Sequence, residues 1–416
     1  MHLCLFEDDQ VAHLKPLVAT RAAYDLRLGI RTLLETTREA FGTPPTVLHA
    51  RPLIDQVTAE ENSLVTGAIP DGADVLFVNG RYIAEDGDLL DRLRHAARPG
   101  EPARVFVQGG EVIAAWVPGA SSRLVQTDAV TRSTFGDRPE ETVSDARLIG
   151  RLWDLTAEIY PALERDFAAR MAGVGLSDRL NGTIHPSAVL VGSGVYVAPG
   201  ATISAGAVLN AEGGPIFIDE GARVWEQAVV TGPAYLGKGS QIKIAAHVEG
   251  SAVGPVSKVG GEVEKSVVHS YSNKQHAGFM GHSYLGRWNN LGADTNNSDL
   301  KNTYGEVTLF NEATGAFEPS GTQFLGLFMG DHSKAGINTM FNTGTVVGVF
   351  CNVFGSGYQP RRIPSFTWGG LDRLTEYRLD KAFEVAEAVM ARRDKTLSDA
   401  ERALLTAISE ARTVTW

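Results

Sequence analysis

Between Val191 and Val253 a large apolar residue returns at every sixth position, and the fourth place after it is mostly a small residue. Val191, Val197, Ile203 and Leu209 set the first phase, followed at the fourth place by Val195, Ala201, Ala207 and Gly213. A shift of three residues at Gly214-Pro215 resets the beat. Ile218, Val224, Val230, Leu236, Ile242 and Val248 then carry Ala222, Ala228, Ala234, Ser240, Ala246 and Ala252. A helix repeats at about 3.6 residues and a half-buried strand at about 2, so neither produces this period. One side of a triangular solenoid does: the long residue fills the core, and the small one sits at the tight corner. The stretch predicts a left-handed parallel β-helix of hexapeptide repeats.

Around this centre the chain divides into four parts. Residues 1–145 read as an α/β layer. Apolar runs at Leu3 to Phe6, Val47-Leu48, Ala73 to Gly80, Val105 to Val107 and Val112 to Val117 alternate with helical spacing at Ile30 to Thr37 and Leu89 to Ala97, which predicts a largely parallel sheet. Residues 146–180 read as a helical link with a break at Pro161. The β-helix occupies 181–370, with a disturbed beat at 257–272 and a polar excursion at 296–321. That excursion is long enough for a functional arm. From Met329 the period resumes through Ala335, Phe341, Val347 and Val353. Residues 371–416 have helical spacing, suited to capping the open end or meeting a neighbouring subunit.

Composition narrows the functional classes. The 416 residues carry a formal net charge of −11 and no run of Lys or Arg, which argues against nucleic-acid binding. Cys4 and Cys351 lie in apolar runs without metal-ligand spacing, as expected of buried thiols in a reducing compartment. No stretch approaches the roughly 18 apolar residues of a membrane span. The start lacks the basic and apolar regions of a secretory signal, so the expected location is the cytoplasm, away from membranes.

Chemistry concentrates where the beat is disturbed. Acyl transfer to an amine needs a base that works near neutral pH, the range of histidine, and donors for a carbonyl oxygen gaining charge. Between Ser272 and Thr295 the chain offers His276, His282, Tyr284 and Asn290, which successive coils could stack on one face. Those coils, Gly281-His282-Ser283-Tyr284-Leu285-Gly286 and Asn290-Leu291-Gly292-Ala293-Asp294-Thr295, resemble the acetyltransferase half of the bacterial bifunctional enzymes that acetylate glucosamine-1-phosphate and uridylylate the product. In that family an AGH-x-x-YLGD coil precedes a VNIGAGT coil. The resemblance implies acetyl-CoA as donor, His282 as general base, Tyr284 as a phosphate or sugar contact and Asn290 as a substrate contact. The His-to-Tyr spacing is one residue shorter here, so the base is either His282 in a displaced register or His276. Asp294 replaces a family glycine and adds a carboxylate to orient the base or bind the substrate amine. Lys334 and Lys301 are candidates for the family's CoA- or sugar-contacting lysine, although His332 and Lys334 read more readily as plain polar decoration, since exposed charges rarely need a function. The family also implies a homotrimer with sites shared between neighbours.

The first domain resembles a degenerate version of the nucleotidyltransferase half, a Rossmann-like fold. It is closer still to the shorter sugar nucleotidyltransferases with an alternative amino-terminal motif. Family members open with a G-x-G-T-R loop around the nucleotide phosphates. Here Phe6-Glu7-Asp8-Asp9 leads to Leu14-Lys15-Pro16-Leu17-Val18-Ala19-Thr20-Arg21, with no glycine before Gly29, so no backbone cradle of the usual kind can form. Lys15, Arg21, Asp25 and Arg27 remain as a candidate phosphate site. The family's N-G-D, whose aspartate holds Mg²⁺, stands as Asn79-Gly80-Arg81. That leaves Asn79 as a substrate contact, an arginine where the metal ligand would be, and Mg²⁺ as an open expectation. Three activities follow: acetyl transfer to a sugar 1-phosphate beside a degenerate nucleotidyltransferase domain; nucleotidyl transfer from UTP or dTTP on a structural β-helix; or nucleotide-sugar binding without chemistry. All imply small-molecule partners, a sugar phosphate and a nucleotide.

Overall fold

The computed structural model describes residues 2–62, 68–85 and 87–411. In the first domain, strands His2–Phe6 (β1), Val47–Leu48 (β2), Ala73–Asn79 (β3), Arg104–Gln108 (β4), Glu111–Ala120 (β5) and Glu140–Thr142 (β6) pair in the order β2-β1-β3-β5-β4-β6. β1 runs parallel to β2 and β3, but β5 is antiparallel to both β3 and β4. The sheet is therefore mixed rather than largely parallel. The cause is local: Gly109 and Gly110, at φ 59° and 88°, turn β4 straight back into β5, and so short a turn can only join antiparallel strands. Helices Leu33–Phe41 (α1), Ile54–Asn62 (α2) and Asp88–Ala96 (α3) cover the sheet, and helices Leu152–Ala157 (α4) and Ile159–Met171 (α5) form the link. Pro161 is the third residue of α5, where a backbone N–H has no intrahelical acceptor to lose. None of the described helices is long and apolar enough to cross a membrane.

The six-residue beat folds as a parallel β-solenoid of about ten turns, as the hexapeptide pattern leads one to expect. Its strands stack into three faces, which each turn visits in order. The first face is an eleven-stranded sheet that starts at Thr183–Ile184, the second a six-stranded sheet from Val189–Val191, and the third a nine-stranded sheet from Val195–Val197. The beat residues Ile203, Leu209, Ile218, Val224, Val230, Leu236, Ile242 and Val248 form one continuous interior cluster with Ala201, Ala207, Ala222 and Ala228. The disturbed stretch does not leave the stack. Strands Lys258–Val259, Glu262–Glu264 and Val267–Ser270 continue the three faces, and only the corners shorten, helped by Gly260-Gly261 with Gly261 at φ 70°. The polar excursion leaves after Asn296–Asn297 and forms a hairpin, Thr308–Asn311 with Ala316–Pro319. It clasps the first domain: Asn311 lies 2.9 Å from Nδ1 of His13, Glu318 3.3 Å from Arg151, and Val307 and Leu309 are buried in the first domain's core.

That core explains how the two domains join. On the third face the outward residues Tyr196, Phe217, Tyr235, Ala252, Val267, Tyr284, Phe328 and Val346 stack turn upon turn. They pack with Tyr24, Leu26, Leu28, Leu163 and Phe167 of the first domain and link. On the first face the corresponding column is polar, with Thr202, Arg223, Gln241, Lys258, Asn273, Asn290, Lys334 and Asn352. A face apolar on both sides must be covered, and the segment after β1 covers it. Buried polar contacts then set the register. Tyr284 Oη accepts from the Arg27 N–H at 3.0 Å and donates to the Arg27 carbonyl at 3.1 Å. Asp331 accepts from Thr20 at 2.7 Å and pairs with Arg21, and Arg287 pairs with both Asp25 and Glu61.

The hairpin of Thr367–Gly370 with Arg373–Glu376 finishes the first face, and helices Leu379–Ala391 (α6) and Asp399–Ala411 (α7) lie alongside, with α7 against α2. They cover a column of rings at the corner between the third and first faces. Tyr271, Trp288, His332, Phe350 and Phe366 all have φ between 53° and 63° and stack in sequence, with the His332 ring 4.5 Å from that of Phe350 and nearly parallel to it. The column packs against Ala382, Ala386, Met390, Leu397 and Leu405.

Asp331→Asn is expected to leave Arg21, 2% exposed, with only the more distant carboxylate of Asp25, 3.7 Å from its Nε, and to cost about 3 kcal/mol. A lower denaturation midpoint would register the loss, and an unchanged midpoint would contradict it. A second outcome concerns pH. Burial, reinforced by the Lys334 charge, lowers His332 from 6.5 to about 3. Burial and Arg21 likewise push His269 well down. From about pH 6.5 down to about 3 the unfolded chain takes up protons that these folded imidazoles refuse, so their contribution to stability is complete above pH 6.5 and shrinks as the pH falls. The slope is up to about 1.4 kcal/mol per pH unit per histidine. His332→Phe keeps the ring column and is expected to flatten the dependence between about pH 6.5 and 5 by one proton, measured from urea midpoints; an unaltered slope would contradict it.

Candidate active site

The corner between the second and third faces carries His282. The strand Phe279–Gly281 ends there and Tyr284–Arg287 begins, and His282 makes the turn at φ 45°. Its N–H donates to the Glu264 carbonyl at 3.1 Å, and its own carbonyl accepts from Gly326 at 2.9 Å, where the arm returns. The outgoing leg of the arm supplies the partner: Oδ2 of Asp299 is 2.8 Å from Nδ1 of His282. On the returning leg, Phe324 stacks on the imidazole at 5.2 Å and 27°.

Local sequence makes this approach feasible. Just below, the backbone ladder of the second face is replaced by side chains, with Asn296 Oδ1 accepting from the Phe279 N–H at 2.7 Å and Asn297 Oδ1 from the Gly281 N–H at 3.2 Å. Gly281 is required, since a Cβ there would collide with the Asp299 carboxylate. A carboxylate on Nδ1 fixes the proton there and leaves Nε2 as the acceptor. His282 is 9% exposed and Phe324 42%, so a deeply set base opens beside an accessible ring. This constellation can accept a proton from an amine or hydroxyl.

The other expected residues are dispersed. His282, Tyr284 and Asn290 do not stack on one face of successive coils. They occupy a corner, the third face and the first face of a single turn, because six residues carry the chain one side around rather than one coil along. Tyr284 is fully buried, with its hydroxyl committed to the Arg27 backbone, and burial pushes its pKa far up. Asn290 sits exposed in the polar column between Asn273 and Lys334. His276 is exposed at the corner between the first and second faces, one side away from His282, and its carbonyl accepts from Lys274 Nζ at 3.0 Å. Asp294 marks that same corner one turn on, at φ 58°, within electrostatic reach of Lys274. The orienting carboxylate is thus Asp299, which sequence reasoning missed. Lys334 Nζ donates to the Trp288 and His332 carbonyls at 2.9 Å each, and burial lowers its pKa to about 8. Lys301 donates to the Glu306 carbonyl within the arm.

In the first domain the expected phosphate-site residues are spent on structure. Arg21 serves Asp331, and Arg27 Nε donates to the His269 carbonyl at 3.3 Å while its guanidinium lies 5.6 Å from the Tyr235 ring centre. Asp25 pairs with Arg287, and burial outweighs that partner to raise its carboxyl to about 6. Lys15 precedes Pro16 at the end of the short helical turn Asp9–Leu14. Asn79, fully buried, donates to Asp8 at 2.8 Å and to the Val112 carbonyl at 2.9 Å. Arg81 grips Asp8 with two bonds, 2.9 and 2.6 Å, and also pairs with Glu111. A guanidinium therefore neutralises the carboxylate that a divalent cation would need. These residues do not fit Mg²⁺, and among the described residues no cluster of three or more His, Cys, Asp or Glu could hold a metal. Between this domain, the ring column and α6 and α7 lies a cleft of about 1060 Å³, lined among others by Asp25, Arg38, Glu61, Arg287, Trp288 and Glu401.

Residues 3–174 match the family model described as sugar nucleotidyl transferase. Among solved structures, a UDP-N-acetylglucosamine acyltransferase from Campylobacter jejuni aligns over 54% of this chain and 90% of its own, at 14% identity and a TM-score of 0.31. A second UDP-N-acetylglucosamine acyltransferase aligns over 56% and 90%, at 14% identity and a TM-score of 0.20. No curated protein matches the sequence. The family match supports a transferase whose activity relates to sugar nucleotides.

Proposed function

We propose that the protein transfers an acetyl group from acetyl-CoA to the amine of a sugar 1-phosphate of the glucosamine-1-phosphate kind. The observation that carries the reading is the His282–Asp299 pair at a corner beside the exposed ring of Phe324. Nε2 of His282 takes a proton from the acceptor amine as its nitrogen attacks the thioester carbonyl carbon. The C–N bond forms, the C–S bond breaks, and the sulfur leaves as the thiol of CoA once protonated. Asp299 holds the ring in the tautomer that leaves Nε2 free and stabilises the imidazolium that forms. The rings of Phe324, beside the base, and Tyr304, elsewhere on the arm, are exposed, and a homotrimer in which a neighbouring subunit covers them suits this reading.

A second reading is favoured by the first domain. Arg81 on Asp8 removes the acidic metal position, whereas the cleft of about 1060 Å³ is large enough for a nucleotide sugar. In this reading the domain binds such a molecule without transferring a nucleotidyl group.

Thiol release from acetyl-CoA in the presence of glucosamine-1-phosphate tests the first reading. His282→Ala is expected to lower kcat by about 10²–10⁴, and Asp299→Asn to lower it less, with little change in KM or melting temperature. No thiol release above the His282→Ala background across amino-sugar phosphates would overturn acetyl transfer. Light scattering is expected to give three times the chain mass of 44.6 kDa; a monomeric mass would remove the shared-site trimer.

A further inference from the structure

The outward column of the first face places Arg223, Gln241 and Lys258 on three successive turns, at the strand spacing of about 4.8 Å. Beside them stands Trp225, whose Nε1 donates to Gln241 at 3.3 Å. The Arg223 guanidinium carbon lies 3.7 Å from the centre of the Trp225 ring and Lys243 Nζ 4.3 Å. The indole π-system thus attracts both cations, which repel each other. Arg392 and Arg393, at the end of α6, come near enough that their charges and that of Lys243, after burial, lower the pKa of Lys258, with no carboxylate contributing.

The lack of neutralisation is unexpected for this chain. It has 49 acidic residues against 38 Lys and Arg, and other surface cations find partners, as Lys238 does with Glu220, Lys381 with Glu384 and Arg402 with Glu387. Among the described residues Lys243, Lys258, Arg392 and Arg393 form no ion pair, and Arg223 reaches only Glu226, at 3.8 Å. The C-terminal dipole of α6 accounts for two arginines there, but it does not call for three more cations on the solenoid.

We propose that Arg223 and Lys243, stacked on Trp225, together with Lys258 and the neighbouring Arg392 and Arg393, bind a small molecule carrying two or more phosphate groups. Cations spread over three turns match a chain of phosphates better than a single one, and Arg223 presents a planar fork suited to a phosphate edge. The indole face is already taken by cations, so the site reads phosphate rather than a base. CoA and a nucleoside polyphosphate both supply this chemistry. The site is separate from His282 and does not rest on acetyl transfer.

Calorimetric titration at low ionic strength with tripolyphosphate, ATP, CoA, dephospho-CoA and orthophosphate tests the site. Tripolyphosphate is expected to bind, orthophosphate about tenfold or more weaker, and affinity to fall steeply with salt. Lys243→Glu with Lys258→Glu is expected to weaken binding by about tenfold or more without altering the melting temperature; Lys258→Gln alone gives a milder loss if the double variant does not fold. His282→Ala is expected to bind like the native protein, which separates this site from the acyl-transfer reading. CoA tighter than both dephospho-CoA and ATP would assign the phosphates to CoA, and ATP tighter than CoA would assign them to a nucleotide. No binding of tripolyphosphate, or binding indifferent to the charge reversals, would overturn the proposal.

Discussion

The outer surface of the third solenoid face governs this molecule. Its column of Tyr196, Phe217, Tyr235, Val267, Tyr284 and Phe328 is as apolar as the interior, and each large side chain removed from water contributes about 1.5–3 kcal/mol. Left bare, it would be an extended sticky surface. The first domain is therefore the covering layer of a sheet with two apolar sides rather than an appendage. Because the segment after β1 does the covering, the residues there that the sequence offered as a phosphate site lie in an interface. Arg21, Asp25 and Arg27 face the solenoid and are held by Asp331, Arg287 and Tyr284.

The solenoid assigns different tasks to equivalent corners. Every turn needs residues with positive φ, a conformation that costs most side chains energy and that glycine adopts freely. Early turns use Gly200, Gly221 and Gly239 between the third and first faces, whereas later ones use Tyr271, Trp288, His332, Phe350 and Phe366. The change coincides with the arrival of α6 and α7, whose apolar faces bury those rings and offset the strain. At the corner between the second and third faces His282 is the same kind of residue. It has chemical potential because the arm leaves the stack beside it and brings a carboxylate to Nδ1. His332, at a sister corner, is sealed between rings and kept neutral.

Much of the fold was legible in the chain. From Val197 the six-residue beat identifies the interior almost residue by residue, because each interior position meets its own kind on the turns above and below and tolerates little else; at Val191 it falls one place late, since Leu190 is the residue that meets Leu209. The apparent disorder at 257–272 came from reading the beat as fixed: the faces hold their length while Gly260-Gly261 shortens a corner. The hairpin glycines at 109 and 110 carried the antiparallel strand that the apolar runs concealed. The candidate base was legible only as a histidine in a disturbed turn. Its partner Asp299 was not, since it lies on a leg whose direction depends on where the arm docks.

The sequence by itself determined the solenoid, its interior and the loss of the phosphate-binding loop, since these follow from short-range periodicity and from residues present or missing at particular places. Only the tertiary structure decided that His282, Tyr284 and Asn290 point to three sides of one turn, that Arg81 closes on Asp8, and that Asp299 rather than Asp294 meets the imidazole. These depend on which surfaces meet. In a solenoid, residues far apart along the chain become neighbours according to the lengths of the corners between them.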